Sequence, residues 1–221
     1  PALNGRRLDL NYRTPADFGS PADLVLVAVK STGLAAALPT LAPLLGPHTQ
    51  ILPLLNGITA QDVLAEAFGW PRVLHGFVYC SSAMRTGNSV IQGGGEKIVF
   101  GEATNAPPAP RVQAVAECFE RLGLRFDVPA DMRAAQWKKF ILNVGINQIQ
   151  ALLRAPSGEI QRNPEALRLA RTLMDEAAAV GVALGVAGAA AVPAWAEGVI
   201  LGAAPANKPS MLQEVASGRT P

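Results

Sequence analysis

Hydrophobic and polar positions divide the chain into two halves with different periods. In the first half, apolar residues come in short unbroken runs. Asp23-Leu-Val-Leu-Val-Ala-Val29 is one, residues 50–55 are a second and residues 73–79 a third. Runs of strand length without alternation suit strands buried on both faces. Pro53 weakens the second as a central strand, and Asn56-Gly57 ends it. Between the runs, residues 31–45 and 61–68 carry helical spacing, the first closed by Gly46-Pro47. Strand, helix, strand, helix, strand predicts parallel pairing through right-handed crossovers. Residues 89–91 and 97–100, with Gly93-Gly-Gly95 between, read as a hairpin with a glycine turn. A loop over 104–110, a helix over 111–122 stopped at Gly123 and a strand over 124–128 follow.

Pro129-Ala-Asp131 marks a boundary, with Asp131 as a helix N-cap. Beyond it no run reads as a strand. Helical spacing covers 131–153, 164–184 and 189–202, Pro156-Ser-Gly158 interrupts it, and 207–218 is a loop leading into a last helix. The predicted fold class is α/β over 1–129, followed by an all-helical domain over 130–221.

Composition supports a packed protein. Of 221 residues, 49% are hydrophobic and 16% charged, which excludes disorder. A net charge of +2 argues against a dedicated nucleic-acid binder. Cys80 and Cys118 make no disulfide framework and suit a reducing cytoplasm. His48 and His75 have no partner at metal-ligand spacing, so no metal site is expected. Residues 177–196 carry no charge, but they are mostly Ala and Gly with Pro193 inside. That composition reads as a closely packed helix and not a membrane span. The chain has neither an initiator Met nor a signal peptide, so we expect further sequence beyond both ends.

Several familiar signatures fail. Gly181, Gly185 and Gly188 have the wrong spacing for a dinucleotide fingerprint and follow no strand, so they read as helix-packing positions. Gly93-Gly-Gly95 lacks the Lys-Ser/Thr of a phosphate loop, and no G-x-S-x-G elbow occurs. Three other groups could carry chemistry. Lys30 and Asn56-Gly57 end the first two strands, and ligands of open parallel sheets sit beyond that edge. Lys139, Asn143 and Asn147 are four residues apart, so on a helix they share one face and span about 12 Å. Asn competes for backbone hydrogen bonds and is a poor helix-interior residue, so two in an apolar helix need a reason. A polar substrate would supply their partners and the lysine a proton. A helix–helix contact with the lysine at the surface is the bland alternative. Ser210, in Asn207-Lys-Pro-Ser210, precedes an apolar stretch and reads as an N-cap, which can coexist with ligand binding.

These pieces, in this order, resemble the ketopantoate reductase (2-dehydropantoate 2-reductase) family. The matching segments are Leu-Val-Leu-Val-Ala-Val-Lys30, Leu-Leu-Asn56-Gly-Ile, Trp-Lys-Lys139-Phe-Ile-Leu-Asn143-Val-Gly-Ile-Asn147 and Lys-Pro-Ser210-Met-Leu-Gln-Glu-Val-Ala-Ser-Gly-Arg219. The resemblance implies a Rossmann-like domain for NADPH, a helical C-terminal domain, and a substrate cleft between them. It implies that Lys139 is the general acid for a ketone being reduced. It implies substrate contacts from Asn56, Asn143, Asn147, Asn207 and Ser210, and cofactor contacts from Lys30, Asn56 and Ala83. The implied activity is NADPH-dependent reduction of ketopantoate to pantoate, on the route to pantothenate and coenzyme A. Its partner is a small keto acid, with neither nucleic acid nor membrane, in the cytoplasm, and a homodimer is the assembly to test.

Three departures go with it. The family's opening βαβ unit, with its glycine fingerprint, is expected ahead of Pro1. The family's glutamate after the Gly-Arg matching Gly218-Arg219 is not among these residues. Where the family often has a further substrate-binding Asn, this chain has Ser157. A reductase of another small 2-keto or β-hydroxy acid, and a non-catalytic ligand-binding relative, are the alternatives.

Overall fold

The structure, a computed structural model, describes residues 1–80 and 83–219. It opens with two short strands, β1 (Ala2–Leu3) and β2 (Arg6–Arg7). Then come β3 (Leu24–Val27), α1 (Ser31–Leu41), β4 (Gln50–Pro53), α2 (Ala60–Phe68) and β5 (His75–Tyr79). Strands β6 (Ala83–Thr86), β7 (Ser89–Gln92) and β8 (Lys97–Gly101) precede α3 (Pro110–Arg121) and β9 (Phe126–Asp127). From there the named elements are helical: α4 (Met132–Leu153), α5 (Ser157–Gln161), α6 (Pro164–Ala183), α7 (Val192–Gly202) and α8 (Ser210–Ala216). The α/β-then-helical order is the one that the hydrophobic pattern predicts. Thr220 and Pro221, the end of the helical domain expected over 130–221, lie outside the described residues.

Two compact units form, and neither is one continuous stretch. One contains residues 8–80 and 95–136, the other 1–7, 83–94 and 137–219. In the first, β3 and β4 pair in parallel from Leu24↔Gln50 to Val27↔Pro53. A parallel bridge, Ile51↔Val73, carries the order on to β5, as the crossover argument predicts. β5 pairs antiparallel with β8, and β8 parallel with β9. Neighbouring residues of a strand point to opposite faces. Ile51 packs with Leu34, Leu41 and Leu64 of α1 and α2, whereas Leu52 packs with Val112, Val115 and Phe119 of α3. β4 is therefore covered on both sides, which explains its unbroken apolar run. β3 departs from that expectation: Val25 and Val27 are buried, but Leu26 between them is 45% exposed. Pro53 is the last residue of β4, where a missing N–H interrupts no further pairing.

The expected hairpin is corrected. β7 turns back on β6 around Gly87-Asn88, and β8 pairs instead with β5. Gly87 has φ +58°, which suits a two-residue hairpin turn, a signal stronger than the later glycines. Gly94 and Gly95, with φ +85° and +76°, steer the chain between two sheets. β7 also pairs in parallel with β1, so the opening residues, which show no strand pattern, join this small sheet.

In the helical region Gly181 sits where an added Cβ would lie 3.0 Å from the Ala189 Cβ and 3.1 Å from the Trp137 ring. Gly181 thus serves close helix packing, as expected, but the other two glycines do not. Gly185 and Gly188 instead occupy left-handed turn positions, each at φ +71°. Among the described residues no helix is long and apolar enough to cross a membrane. Asp131 Oδ1 accepts from the Ala134 N–H, the expected cap of α4. Ser210 is corrected from N-cap to first helical residue, because Pro209 holds the extended cap position of α8.

Candidate active site

At the carboxyl edge of the β3–β4 pair, the chain turns twice into a helix. Lys30 is exposed and stands in the extended cap position of α1. Asn56 is exposed in the turn after β4, where Gly57 has φ +97°, a conformation open to glycine and strained for other residues. Both helices begin beside a cavity of about 170 Å³. Ser31, Asn56 and Thr59 supply its polar groups, while Leu34, Leu55 and Val63 are among its apolar lining. A mostly apolar cavity with a few polar groups at a strand edge is the ordinary form of a small-molecule site. Ala83, the other cofactor contact that the resemblance implies, opens β6 and belongs to the other compact unit.

Helix α4 carries the second group. Trp137, Ile141, Gly145 and Ile149 form its buried stripe. At 100° per residue this stripe centres about 180° from the one formed by Lys139, Asn143 and Asn147. Gly145 makes the packing tight: a Cβ there would lie 2.3 Å from Met174 Cγ and 3.1 Å from the Ala170 carbonyl oxygen of α6. The polar stripe is thereby turned away from α6, and all three of its members are half-buried. Among the described residues the Asn143 and Asn147 amides have no side-chain hydrogen bond. Among the described residues no helix–helix hydrogen bond therefore accounts for these asparagines, and an amide side chain has donors and an acceptor suited to a ligand.

The neighbouring lysines of Trp137-Lys-Lys139 are in different situations. The Lys138 ammonium lies 4.0 Å from the centroid of the Trp195 ring, in a cation–π contact. Lys139 lies on the asparagine stripe.

Asn207 and Ser210 are held to the end of α4 through Ser157. The Asn207 carbonyl accepts from the Ser157 N–H at 3.0 Å and from its hydroxyl at 3.3 Å. Gln150 Nε2 donates to Ser157 Oγ at 3.3 Å and to the Ala155 carbonyl at 3.2 Å. Ser157 and Gln150 are buried, at 3% and 1% exposure. Gly158 allows the approach, since a Cβ there would lie 2.7 Å from Pro205 Cβ. Asn207 is half-buried and Ser210 exposed on this tethered segment.

Two features went unread in the sequence. Ser31 and Thr59 at the cavity have only their place after a strand as a signal. Gln61 and Gln136, both buried, occupy core-facing positions of their helices, and only that misplaced polarity could have revealed them. Among the described residues no group of His, Cys, Asp and Glu could hold a metal ion.

The comparisons with known proteins agree across nearly the whole chain. A family model described as ketopantoate reductase PanE/ApbA matches residues 5–105, and its C-terminal counterpart matches residues 131–221. A 2-dehydropantoate 2-reductase of Halobacterium salinarum is 34% identical, over 89% of this chain and 64% of that protein. One of Mesorhizobium japonicum is 30% identical, over 89% of this chain and 66% of that protein. The chain thus spans slightly less than two thirds of these relatives. The crystal structure of 2-dehydropantoate 2-reductase from Geobacter metallireducens superimposes with a TM-score of 0.81 at 28% identity, covering 95% of this chain and 69% of that one.

Proposed function

The chain belongs to the ketopantoate reductase family, and from that membership we propose that it reduces ketopantoate to pantoate with NADPH, on the route to pantothenate and coenzyme A. The observation that carries this reading is the stripe of Lys139, Asn143 and Asn147, turned away from the packed face of α4 with its two amides unpartnered among the described residues. In this reading the division of labour follows 1–129 for cofactor and 130–221 for substrate and proton, in the cytoplasm.

The residues beside the strand edge fit a nicotinamide. A flat ring with one amide needs apolar walls and a few hydrogen-bonding groups, and the cavity beside Asn56 offers both. Lys30, Asn56 and Ala83 are the proposed cofactor contacts. When bound, the cofactor supplies the hydride. The chain's own part is to bind, orient and protonate. Asn143 and Asn147 donate to and accept from the polar groups of the keto acid, with Asn56, Asn207 and Ser210 as further contacts. The Lys139 ammonium stabilises the negative charge that develops on the ketone oxygen and donates the proton that makes it a hydroxyl. Lys138 instead lies over the Trp195 ring, off the asparagine stripe.

One observation favours a second substrate. The hydroxyl of Ser157 is buried and bonded to the Asn207 carbonyl, so it is not offered to a ligand. The contact implied at this position by an Asn in the family is missing here, which favours a 2-keto acid with fewer polar groups. The test is NADPH oxidation by the intact protein with ketopantoate and a panel of 2-keto acids, alongside Lys139→Ala. Turnover of ketopantoate that collapses in the variant supports the first reading. Turnover of another keto acid alone replaces the substrate and keeps the mechanism. No turnover and no NADPH binding overturns both.

A further inference from the structure

A chain of hydrogen bonds runs through the α/β unit and ends at the Asn56 turn. His75 Nδ1 lies 3.3 Å from Gln136 Oε1. Gln136 Nε2 donates to Gln61 Oε1 at 3.1 Å. Gln61 Nε2 donates to the Ile58 carbonyl at 2.6 Å. The three side chains come from β5, α4 and α2, and the two glutamines are 4% and 5% exposed. The His75 ring is half-buried and stacks on Trp70, with centroids 5.4 Å apart and planes 18° apart.

The direction of this chain is fixed by its last member. A backbone carbonyl can only accept, so Gln61 must present its amide nitrogen to Ile58. Its oxygen then faces Gln136, which must present nitrogen in turn. The Gln136 oxygen is left facing His75, so Nδ1 must carry the proton. Any reversal leaves two donors or two acceptors face to face. At a site this buried that costs about 1–3 kcal/mol for each unsatisfied group.

We propose that His75, Gln136 and Gln61 form a directional relay that holds the Asn56 turn in place, and that they are positioning residues for the reaction. The inference rests on the reading in which Asn56 touches cofactor and substrate. The bond to the Ile58 carbonyl lies two residues after Asn56 and next to Gly57, whose φ of +97° is open to glycine and strained for other residues, so the relay reaches the turn at its tightest bend. Gln136 ties the same turn to the first part of α4.

The test uses the intact protein labelled with ¹⁵N, in which His75 and His48 are the histidines of the described chain and His48→Gln separates their signals. In the wild type we expect the neutral His75 ring to carry its proton on Nδ1. Gln61→Leu does not touch His75, yet it frees the Gln136 amide and should move part of that proton population to Nε2. The same variant should lower kcat/KM by about 10- to 100-fold, the scale of a displaced contact group. Most of the loss should come through a raised KM, measured at a temperature where the variant is folded. A wild-type ring protonated on Nε2 overturns the relay and needs no variant. A Gln61→Leu protein with an unmoved tautomer overturns it too. A moved tautomer with unchanged kinetics overturns the positioning role. Absence of turnover in the wild type overturns the reading of the site and the positioning role with it, while the ring measurement still decides the relay.

Discussion

Asn56 and Asn143 are both candidate ligand contacts, yet the molecule positions them by different means. Asn143 stands on a long helix, where its relation to Lys139 and Asn147 follows from 3.6 residues per turn. Their spacing relative to one another is set within α4. Asn56 stands on a turn with a left-handed glycine beside it, and its placement depends on side chains brought in from α2, α4 and β5. A polar stripe on a helix is set by local geometry and needs only one well-packed opposite face. A polar residue on a turn needs long-range hydrogen bonds. The stripe should therefore tolerate changes away from α4, and the turn should not.

The largest effects should come from the stripe itself. Lys139→Ala should lower kcat by about 10²–10⁴, the scale of a lost general acid. Lys138→Ala is the matched control one residue earlier. It should leave kcat nearly unchanged and lower stability by about 0.5–1 kcal/mol through the lost contact with Trp195. Steady-state kinetics and thermal unfolding of the pair check both. Equal losses of activity in the two variants would break the assignment of the acid.

The next largest effect tests the packed face opposite the stripe. Gly145→Ala would place a Cβ 2.3 Å from Met174 Cγ, with the Ala170 carbonyl also in the way. It should destabilise the protein by about 1–3 kcal/mol, as overpacking does. Met174→Ala should cost less in the Gly145→Ala background than alone, which denaturant unfolding of the two single variants and the double variant would detect. A smaller effect is expected at Ser157→Ala, which removes the hydroxyl bond to Asn207. The expected change is about 1 kcal/mol of stability, with a raised KM for the keto acid and little change in kcat. A drop in kcat alone would show that Ser157 acts on the chemistry and not on the segment that carries Asn207 and Ser210.

The same contrast explains what the sequence disclosed. The α4 stripe was legible because its evidence is local: residues four apart, polar among apolar. The strand edge was legible as a place, since apolar runs ending in Lys30 and Asn56 identify the carboxyl ends of parallel strands. Its support was not legible. Gln61 and Gln136 are 75 positions apart, and no local pattern links them. The hairpin failed for a related reason. The glycine cluster at 93–95 drew the turn, whereas Gly87-Asn88, with only two residues between short strands, makes it. Ser210 was displaced by one position because Pro209 already supplies the extended backbone of a cap.

The smallest effect concerns His75, and it sharpens the account of the turn. Burial lowers its pKa below the usual 6.5, against an opposing pull from the Gln136 hydrogen bond and from the charges of Asp62 and Glu102. The folded state then binds fewer protons than the unfolded state between the lowered value and 6.5. Stability rises with pH where the unfolded state holds the extra proton. The contribution of His75 is therefore complete above 6.5 and is lost as pH falls through the folded value, where both states are protonated. Between about pH 5 and 7 histidines dominate such slopes. His75→Phe keeps an aromatic ring for Trp70 and cannot titrate. Its unfolding free energy should be lower than the wild type at neutral pH and flatter across that window. A wild-type slope retained in His75→Phe would place the titration elsewhere. A slope lost with His75 would tie the acid sensitivity of the α/β unit to the relay that holds Asn56.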